Sequence, residues 1–192
     1  MEIYLIRHTT PQVEKGICYG QTDLDLIENF QPEFETVVSK IPQNENISVF
    51  SSPLKRCTQL ADTLSNQVIL DNRLKELNFG AWELKPWNDI PETEMNPWMQ
   101  EFVNTAVPNG ESYSELASRV RSFFQALLIL KTQKNVVIVS HAGPIRAFLA
   151  HVLDIPLKDS FKIKINYGDV FHLRLQGKSF ELISDVDLQV SN

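Results

Sequence analysis

A chain of 192 residues and 22.0 kDa fits one sizeable domain, since single domains commonly run to ~100–200 residues. Apolar residues make up 43% and charged residues 22%, with 7 Gly and 10 Pro, a balance that excludes disordered, fibrous and disulfide-scaffold chains. The 18 basic and 24 acidic residues leave a net charge of -6, so no global basic field favours a nucleic acid, and no apolar run approaches the ~20 residues that span a bilayer. Neither nucleic acid nor membrane is expected as a partner. The opening Met1-Glu2-Ile3-Tyr4 reaches Arg7-His8 without a basic segment followed by an apolar one, so cytoplasmic residence is expected. Cys18 and Cys57 have neither C-x-x-C spacing nor a His cluster around them. They are read as ordinary thiols, not as a disulfide or a zinc site.

Short β-branched and aliphatic runs alternate with helical periodicity, the pattern of an α/β domain with a mostly parallel sheet. Ile3 to Ile6 reads as a strand buried on both faces, followed by a loop from Thr9 through Thr22 and a helix between Phe30 and Ile41. A second strand, Ile47 to Phe50, runs into Ser51-Ser52-Pro53, where Ser52 is expected to cap a helix whose core face is Cys57, Leu60, Ala61 and Leu64. Val68 to Leu70 is a short third strand. Beyond it, Pro86, Pro91 and Pro97 with Trp82, Trp87 and Trp98 mark an irregular, lid-like insertion at about 84–108 in an otherwise single domain over 1–192.

Ser112 with Glu115 forms a capping box, and Leu116, Val120, Phe123, Leu127 and Leu130 trace the apolar stripe of the helix that follows. Val136 to Val139 is another buried strand, and Ser140-His141-Ala142-Gly143-Pro144 turns into a helix carrying Ile145, Phe148, Leu149 and Val152. The last forty residues alternate instead, with Ile163, Ile165 and Tyr167 against Lys162, Lys164 and Asn166, then Phe171, Leu173 and Leu175 against His172 and Arg174. Two half-exposed antiparallel strands and a closing hairpin at Gln176-Gly177-Lys178 are expected there.

Three buried strands thus end in polar residues: Arg7-His8, Ser51-Ser52 with Arg56 a helical turn on, and Ser140-His141. Ligands of open α/β sheets bind beyond the carboxyl ends of the strands, so neighbouring strands would bring two His and two Arg into one crevice. Helical Cα–Cβ bonds tilt toward the N-terminus, aiming Arg56 back over the strand ends. Gly143 adds backbone amides at a helix start, suited to an anionic oxygen. The composite is a phosphate or carboxylate pocket. Phosphoryl chemistry without an evident metal site needs a nucleophile, positive charge on the phosphoryl oxygens and a proton for the leaving alcohol. His8 with Arg7 and Arg56 supplies the first two, and Glu76, partly buried before an aromatic loop, is the candidate proton donor.

Leu5-Ile6-Arg7-His8-Thr9 resembles the Arg-His-Gly signature of the histidine phosphatase superfamily, which includes the phosphoglycerate mutases. Tyr19-Gly20-Gln21-Thr22-Asp23, Ser51 to Arg56, Glu76 to Glu83, Gly110-Glu111-Ser112 and Val139 to Gly143 match further motifs in the family's order. The Arg-His-Thr-Thr-Pro opening and Cys18-Tyr19-Gly20-Gln21 look most like the α-ribazole-5'-phosphate phosphatases of cobalamin assembly. The resemblance implies a three-layer sandwich, a mixed sheet flanked by helices with an antiparallel C-terminal edge. It also implies hydrolysis of a small phosphate monoester through a phosphohistidine on His8, with no metal and no other cofactor. Arg7 and Arg56 would hold the phosphoryl oxygens, His141 would bond the transferring group, Glu76 would serve the leaving oxygen, and Tyr19 and Gln21 would meet the substrate.

Thr9 departs from the family's Gly, and Glu14 stands where many members have Asn, with Gln12 or Gln21 the alternative polar contact. Glu83 competes with Glu76, and Glu111 is read as support for helix initiation. α-Ribazole 5'-phosphate is the preferred substrate. The alternatives are a sugar-phosphate or broad-specificity phosphatase, a phosphoglycerate mutase and a phospho-ligand-binding pseudo-enzyme. Mutases of the family carry longer insertions than Pro86 to Pro108. His151 and His172 are read as structural or solvent-facing.

Overall fold

Runs of apolar residues that cannot be partitioned into a wet and a dry face fold as strands covered on both sides. The computed structural model, which describes residues 1–42, 47–129 and 135–188, shows this for β1 (Glu2–Arg7), β2 (Ile47–Ser51) and β4 (Asn135–Ser140). With β3 (Val68–Leu70), β5 (Val170–Gln176) and β6 (Ser179–Leu182) they form a six-stranded sheet of order β3-β2-β4-β1-β5-β6. The pairs β2–β3, β2–β4 and β1–β4 are parallel, while β1–β5 and β5–β6 are antiparallel. The fold is a mixed α/β sandwich with an antiparallel C-terminal edge.

Successive strand side chains point to opposite faces, so the sheet carries two cores. Ile3, Leu5, Phe50, Val136 and Ile138 pack on one face against α4 (Tyr113–Ile129) and α5 (Ala142–Val152). Tyr4, Ile6, Val49, Val137 and Val139 pack on the other against α1 (Gln31–Ser39) and α2 (Lys55–Asp62). Ser112 caps α4 as expected: its hydroxyl accepts from the Glu115 amide at 3.3 Å, and its own amide donates to Glu115 Oε2 at 2.7 Å. Leu116, Val120, Phe123 and Leu127 are all buried; Leu130 lies outside the described residues.

Three expectations are corrected. Ser52 does not cap α2, which starts at Lys55 with Leu54 at the N-cap position; the Ser52 hydroxyl is engaged elsewhere, and Leu64 lies half-buried beyond the helix end. Residues 162–167 alternate in burial only in part and form no strand of the sheet. The segment follows a 3-10 turn at Leu157–Lys162 and makes one isolated bridge, Ile163 to Leu188. The 84–108 segment is not irregular throughout, because α3 (Glu92–Gln100) forms within it despite Pro97. None of α3 is buried, yet the segment is fastened to the body by a third apolar cluster of Cys18, Trp82, Ile90 and Val107, joined by Trp87 and Trp98. The Trp82 indole N–H donates to Glu94 Oε2 at 2.7 Å, tying α3 to that cluster. No described helix is long and apolar enough to cross a membrane.

Leu116→Ala, which leaves a cavity in the α4 face of the core, is expected to destabilise the protein by ~2–5 kcal/mol, whereas Ile129→Ala on the exposed face should stay within ~0.5 kcal/mol. Urea denaturation of both variants measures the difference.

Candidate active site

The register puts Arg7 beside Ser140 and Ser51 beside Val139, so β1, β4 and β2 release His8, His141 and Ser52 at the same edge of the sheet. All three are buried, and the two imidazole rings meet edge to face with centroids 5.0 Å apart. His8 Nδ1 lies 2.7 Å from the Thr9 carbonyl oxygen, which can only accept. Nδ1 therefore carries the ring proton and Nε2 keeps its lone pair. Burial first, then the charges of Arg56 and Arg7, hold the His8 imidazole well below the ordinary histidine value, and the ring is neutral. His141 is held low in the same way, by burial and then by Arg56, His8, Arg119 and Arg7; its Nε2 is 2.8 Å from Ser52 Oγ.

The arginines sit in this site without carboxylates. Arg56, fully buried on the first turn of α2, donates to the carbonyls of Thr22 at 2.8 Å and Gly20 at 2.5 Å. Arg7 donates from Nη1 to the Ile165 carbonyl at 2.8 Å, and the Tyr167 ring covers its guanidinium at 3.8 Å. The Nε–H of each arginine is buried with no acceptor among the described residues. Such a donor is satisfied when an anionic oxygen lies against it.

Glu76 enters from the loop after β3. Arg119 of α4 fastens that loop, donating to the carbonyls of Arg73, Lys75 and Glu76 at 2.8, 2.7 and 2.9 Å while paired with Glu111 at 2.6 Å. Glu111 thus holds the loop, not the helix start assigned to it. Glu76 Oε2 accepts from the Gly143 amide at 3.2 Å and Oε1 from the Leu77 amide at 2.8 Å. The group seated at the α5 N-terminus is consequently the Glu76 carboxyl. Gly143 is required there because a Cβ would come within 2.2 Å of Glu76 Oε1.

Glu76, Arg7, His8 and Tyr19 line one cavity of about 220 Å³. Glu83, the competing candidate, instead accepts from the amides of Gln21 at 2.8 Å and Phe79 at 3.2 Å, holding the 20–22 turn. Gln21 does not line the cavity, since its side-chain amide donates to the Glu76 carbonyl at 3.1 Å. Glu14 and Gln12 are exposed and take no part in the cavity wall. Thr9 is buried, with its hydroxyl unpartnered. His172 packs on Tyr4 and bonds Glu2 at 2.5 Å, and burial pushes the Cys57 thiol up to about 12, both in keeping with structural roles.

Two residues beside the site escaped the sequence reading. Arg146, one turn into α5 and in the cavity wall, was masked by an apolar helix pattern, and Tyr167, whose ring lies against Arg7 and His8 outside that wall, by an apparent strand alternation. Both are reachable from sequence only by asking what lies one turn past His141 and what the final loop carries back over the sheet edge. Among the described residues no group of three or more His, Cys, Asp or Glu side chains is arranged to hold a metal.

The model of the histidine phosphatase superfamily (branch 1) matches residues 3–187. The chain belongs to that superfamily. A protein of Hydrogenobacter thermophilus named "Putative phosphoserine phosphatase 2" is 28% identical over 189 residues, covering 94% of this chain and 93% of its own. The α-ribazole phosphatase of Shigella flexneri superposes with a TM-score of 0.86 at 22% identity over 100% of both chains. A mycobacterial glucosyl-3-phosphoglycerate phosphatase gives 0.80 at 22% identity, over 94% of this chain and 96% of its own. Membership makes this histidine phosphatase an enzyme, and the mixed, mostly parallel sheet flanked by helices matches the fold of these neighbours.

Two imidazoles neutral in the folded chain gain protons on unfolding, where histidine titrates near 6.5. The unfolded state then binds more protons, so stability falls as pH drops through 6.5. From pH 6.5 to 5.5 the two together should remove ~2 kcal/mol, and His141→Asn should about halve that decrement. Urea midpoints across this interval test it.

Proposed function

We propose that this histidine phosphatase hydrolyses small phosphate monoesters through a phosphohistidine on His8. One observation carries the reading: a neutral His8, its Nδ1–H committed to the Thr9 carbonyl, lies near two arginines whose buried Nε–H groups have no acceptor among the described residues. Nε2 is the free nucleophilic atom, and the guanidinium groups suit the oxygens of a phosphoryl group. In the first step the His8 Nε2–P bond forms as the ester P–O bond breaks, and Glu76 gives a proton to the leaving oxygen. In the second, water attacks phosphorus, passes a proton back to Glu76 and releases phosphate from His8. His141, kept neutral and anchored by Ser52, donates to the transferring group.

α-Ribazole 5'-phosphate is the substrate this reading names. The whole-length likeness to an α-ribazole phosphatase supports it, as do the flat faces of Tyr19, Phe79, Trp87 and Phe161 in the cavity wall, which suit an aromatic leaving group. A second reading has Arg146 in its favour. Its guanidinium lines the cavity 4.7 Å from the Phe161 ring, donates only from Nε to the Ile163 carbonyl at 3.2 Å, and has no carboxylate in salt-bridge range among the described residues. Such a cation suits an acid-bearing ester such as phosphoserine or a phosphoglycerate.

Phosphate release in excess EDTA from α-ribazole 5'-phosphate, phosphoserine, 3-phosphoglycerate and sugar phosphates separates these readings. His8→Ala should abolish release and the acid-labile phosphoenzyme, and Glu76→Gln should slow it ~10²–10⁴-fold. Arg146→Gln should leave α-ribazole 5'-phosphate turnover unchanged under the first reading. Under the second it should raise KM for the acidic esters ~10-fold. Equal activity in His8→Ala, or dependence on metal, would sink the mechanism; interconversion of phosphoglycerates would point to a mutase, and binding without turnover to a pseudo-enzyme.

A further inference from the structure

Two loops distant in sequence meet beside His8, and each holds one arginine of the site in the same manner. Residues 16–22 offer Arg56 the carbonyls of Gly20 and Thr22 together with the Tyr19 ring, whose centroid is 5.6 Å from the guanidinium carbon. Residues 163–169 offer Arg7 the carbonyl of Ile165 together with the Tyr167 ring at 3.8 Å. The loops are joined to one another by a 2.5 Å hydrogen bond between the Tyr19 and Tyr167 hydroxyls, and the Tyr167 ring lies 5.5 Å from the His8 imidazole. The chain of contacts is therefore closed: Tyr167 on Arg7, Arg7 next to His8, Arg56 near His8, Tyr19 on Arg56, and Tyr19 bonded to Tyr167.

Carbonyls hold both Nη groups of Arg56 and Nη1 of Arg7, and cation–π packing and the loop junction add to these in fixing the two guanidinium groups, whose Nε edges have no acceptor among the described residues. Burial and the bond to Tyr167 raise the Tyr19 phenol above its ordinary value, and that side of the pair stays protonated. Two phenols carry two hydroxyl protons, and their mutual bond uses one. The other has no acceptor among the described residues. Tyr19 lines the cavity and Tyr167 is 37% exposed, so the pair stands at the rim of the site.

We propose that Tyr19 and Tyr167 form a clasp that sets the spacing of Arg7 and Arg56 and donates its spare hydroxyl proton to an oxygen of the bound phosphoryl group. The pair both positions the arginines and touches the phosphoryl oxygen, and the inference rests on the reading of this pocket as a phosphoryl site. Because the hydroxyls act through one another, removing either dismantles the clasp.

The test uses the full chain, with p-nitrophenyl phosphate as substrate and inorganic phosphate as inhibitor and as titrant in calorimetry. Tyr19→Phe and Tyr167→Phe each keep the ring over its arginine and lose only the hydroxyl. Each should raise KM and the phosphate Kd together about tenfold, because the remaining hydroxyl, no longer tied to its partner, is not held toward the phosphoryl oxygen, while kcat falls less. The double variant should be no worse than either single one, because the pair is one unit. Tyr167→Leu, which also uncovers Arg7, should lower kcat further. All variants should melt within a few degrees of the wild type, since a purely structural role would move Tm and leave phosphate affinity unchanged. Single Tyr→Phe variants within about twofold of wild type in phosphate Kd, or effects that multiply in the double variant, would overturn the clasp. Phosphate binding that responds to both variants without any ester turnover would retain the clasp and discard hydrolysis. Absence of phosphate binding to the wild type would discard both.

Discussion

A buried and a half-buried guanidinium group beside two buried imidazoles, with no carboxylate in salt-bridge range of either among the described residues, are the constraint around which this structure is arranged. Positive charge taken out of water is costly unless it is hydrogen-bonded, and a second charge of like sign nearby raises the cost. The chain meets this in two ways. Backbone carbonyls of Gly20 and Thr22 take up both Nη groups of Arg56 and that of Ile165 takes up Nη1 of Arg7, and both histidines remain neutral under the combined pressure of burial and the arginines. The field that would suit an anionic oxygen is thus the same field that keeps His8 an unprotonated imidazole.

The surrounding architecture serves that arrangement. Parallel pairing of β2, β4 and β1 places three strand ends side by side, and the two cores above and below the sheet leave the strand ends no freedom to shift in register. The acid in the cavity wall is kept from neutralising the arginines, because the Gly143 and Leu77 amides fix Glu76 and Arg119 clamps its loop at three carbonyls. A glycine at position 143 is what lets the carboxylate sit against the α5 N-terminus. Carboxylate and guanidinium groups are thereby held apart across one cavity instead of collapsing into a salt bridge.

Much of this was legible in the residues. Strands, the α4 capping box and the strand-end histidines follow from local pattern, because buried parallel strands and helix starts are dictated by near neighbours in sequence. What local pattern misjudged had a common cause. Ser52 has the chemistry of a helix cap, but the His141 imidazole competes for its hydroxyl from 89 positions away. Residues 162–167 alternate like a strand, yet β5 already occupies the edge beside β1, so no partner backbone is available to them there. Pro and Trp in the 84–108 segment suggest irregular chain, whereas a cluster around Trp82 gives α3 something to attach to.

Composition and order of residues determined the fold class, the identity of the strands that meet the site, and the side chains His8, Arg7, Arg56, Glu76 and His141, since each is set by a motif within a few residues of itself. Only the tertiary structure decided which carboxyl group faces the histidine, that Gln21 is spent on a loop carbonyl, that Glu14 looks outward, that Arg146 joins the cavity wall and that the Tyr167 ring comes against His8. The physical reason is that orientation and protonation depend on what is buried next to a group. Those neighbours are contributed by the whole length of the chain, from Tyr19 to Tyr167.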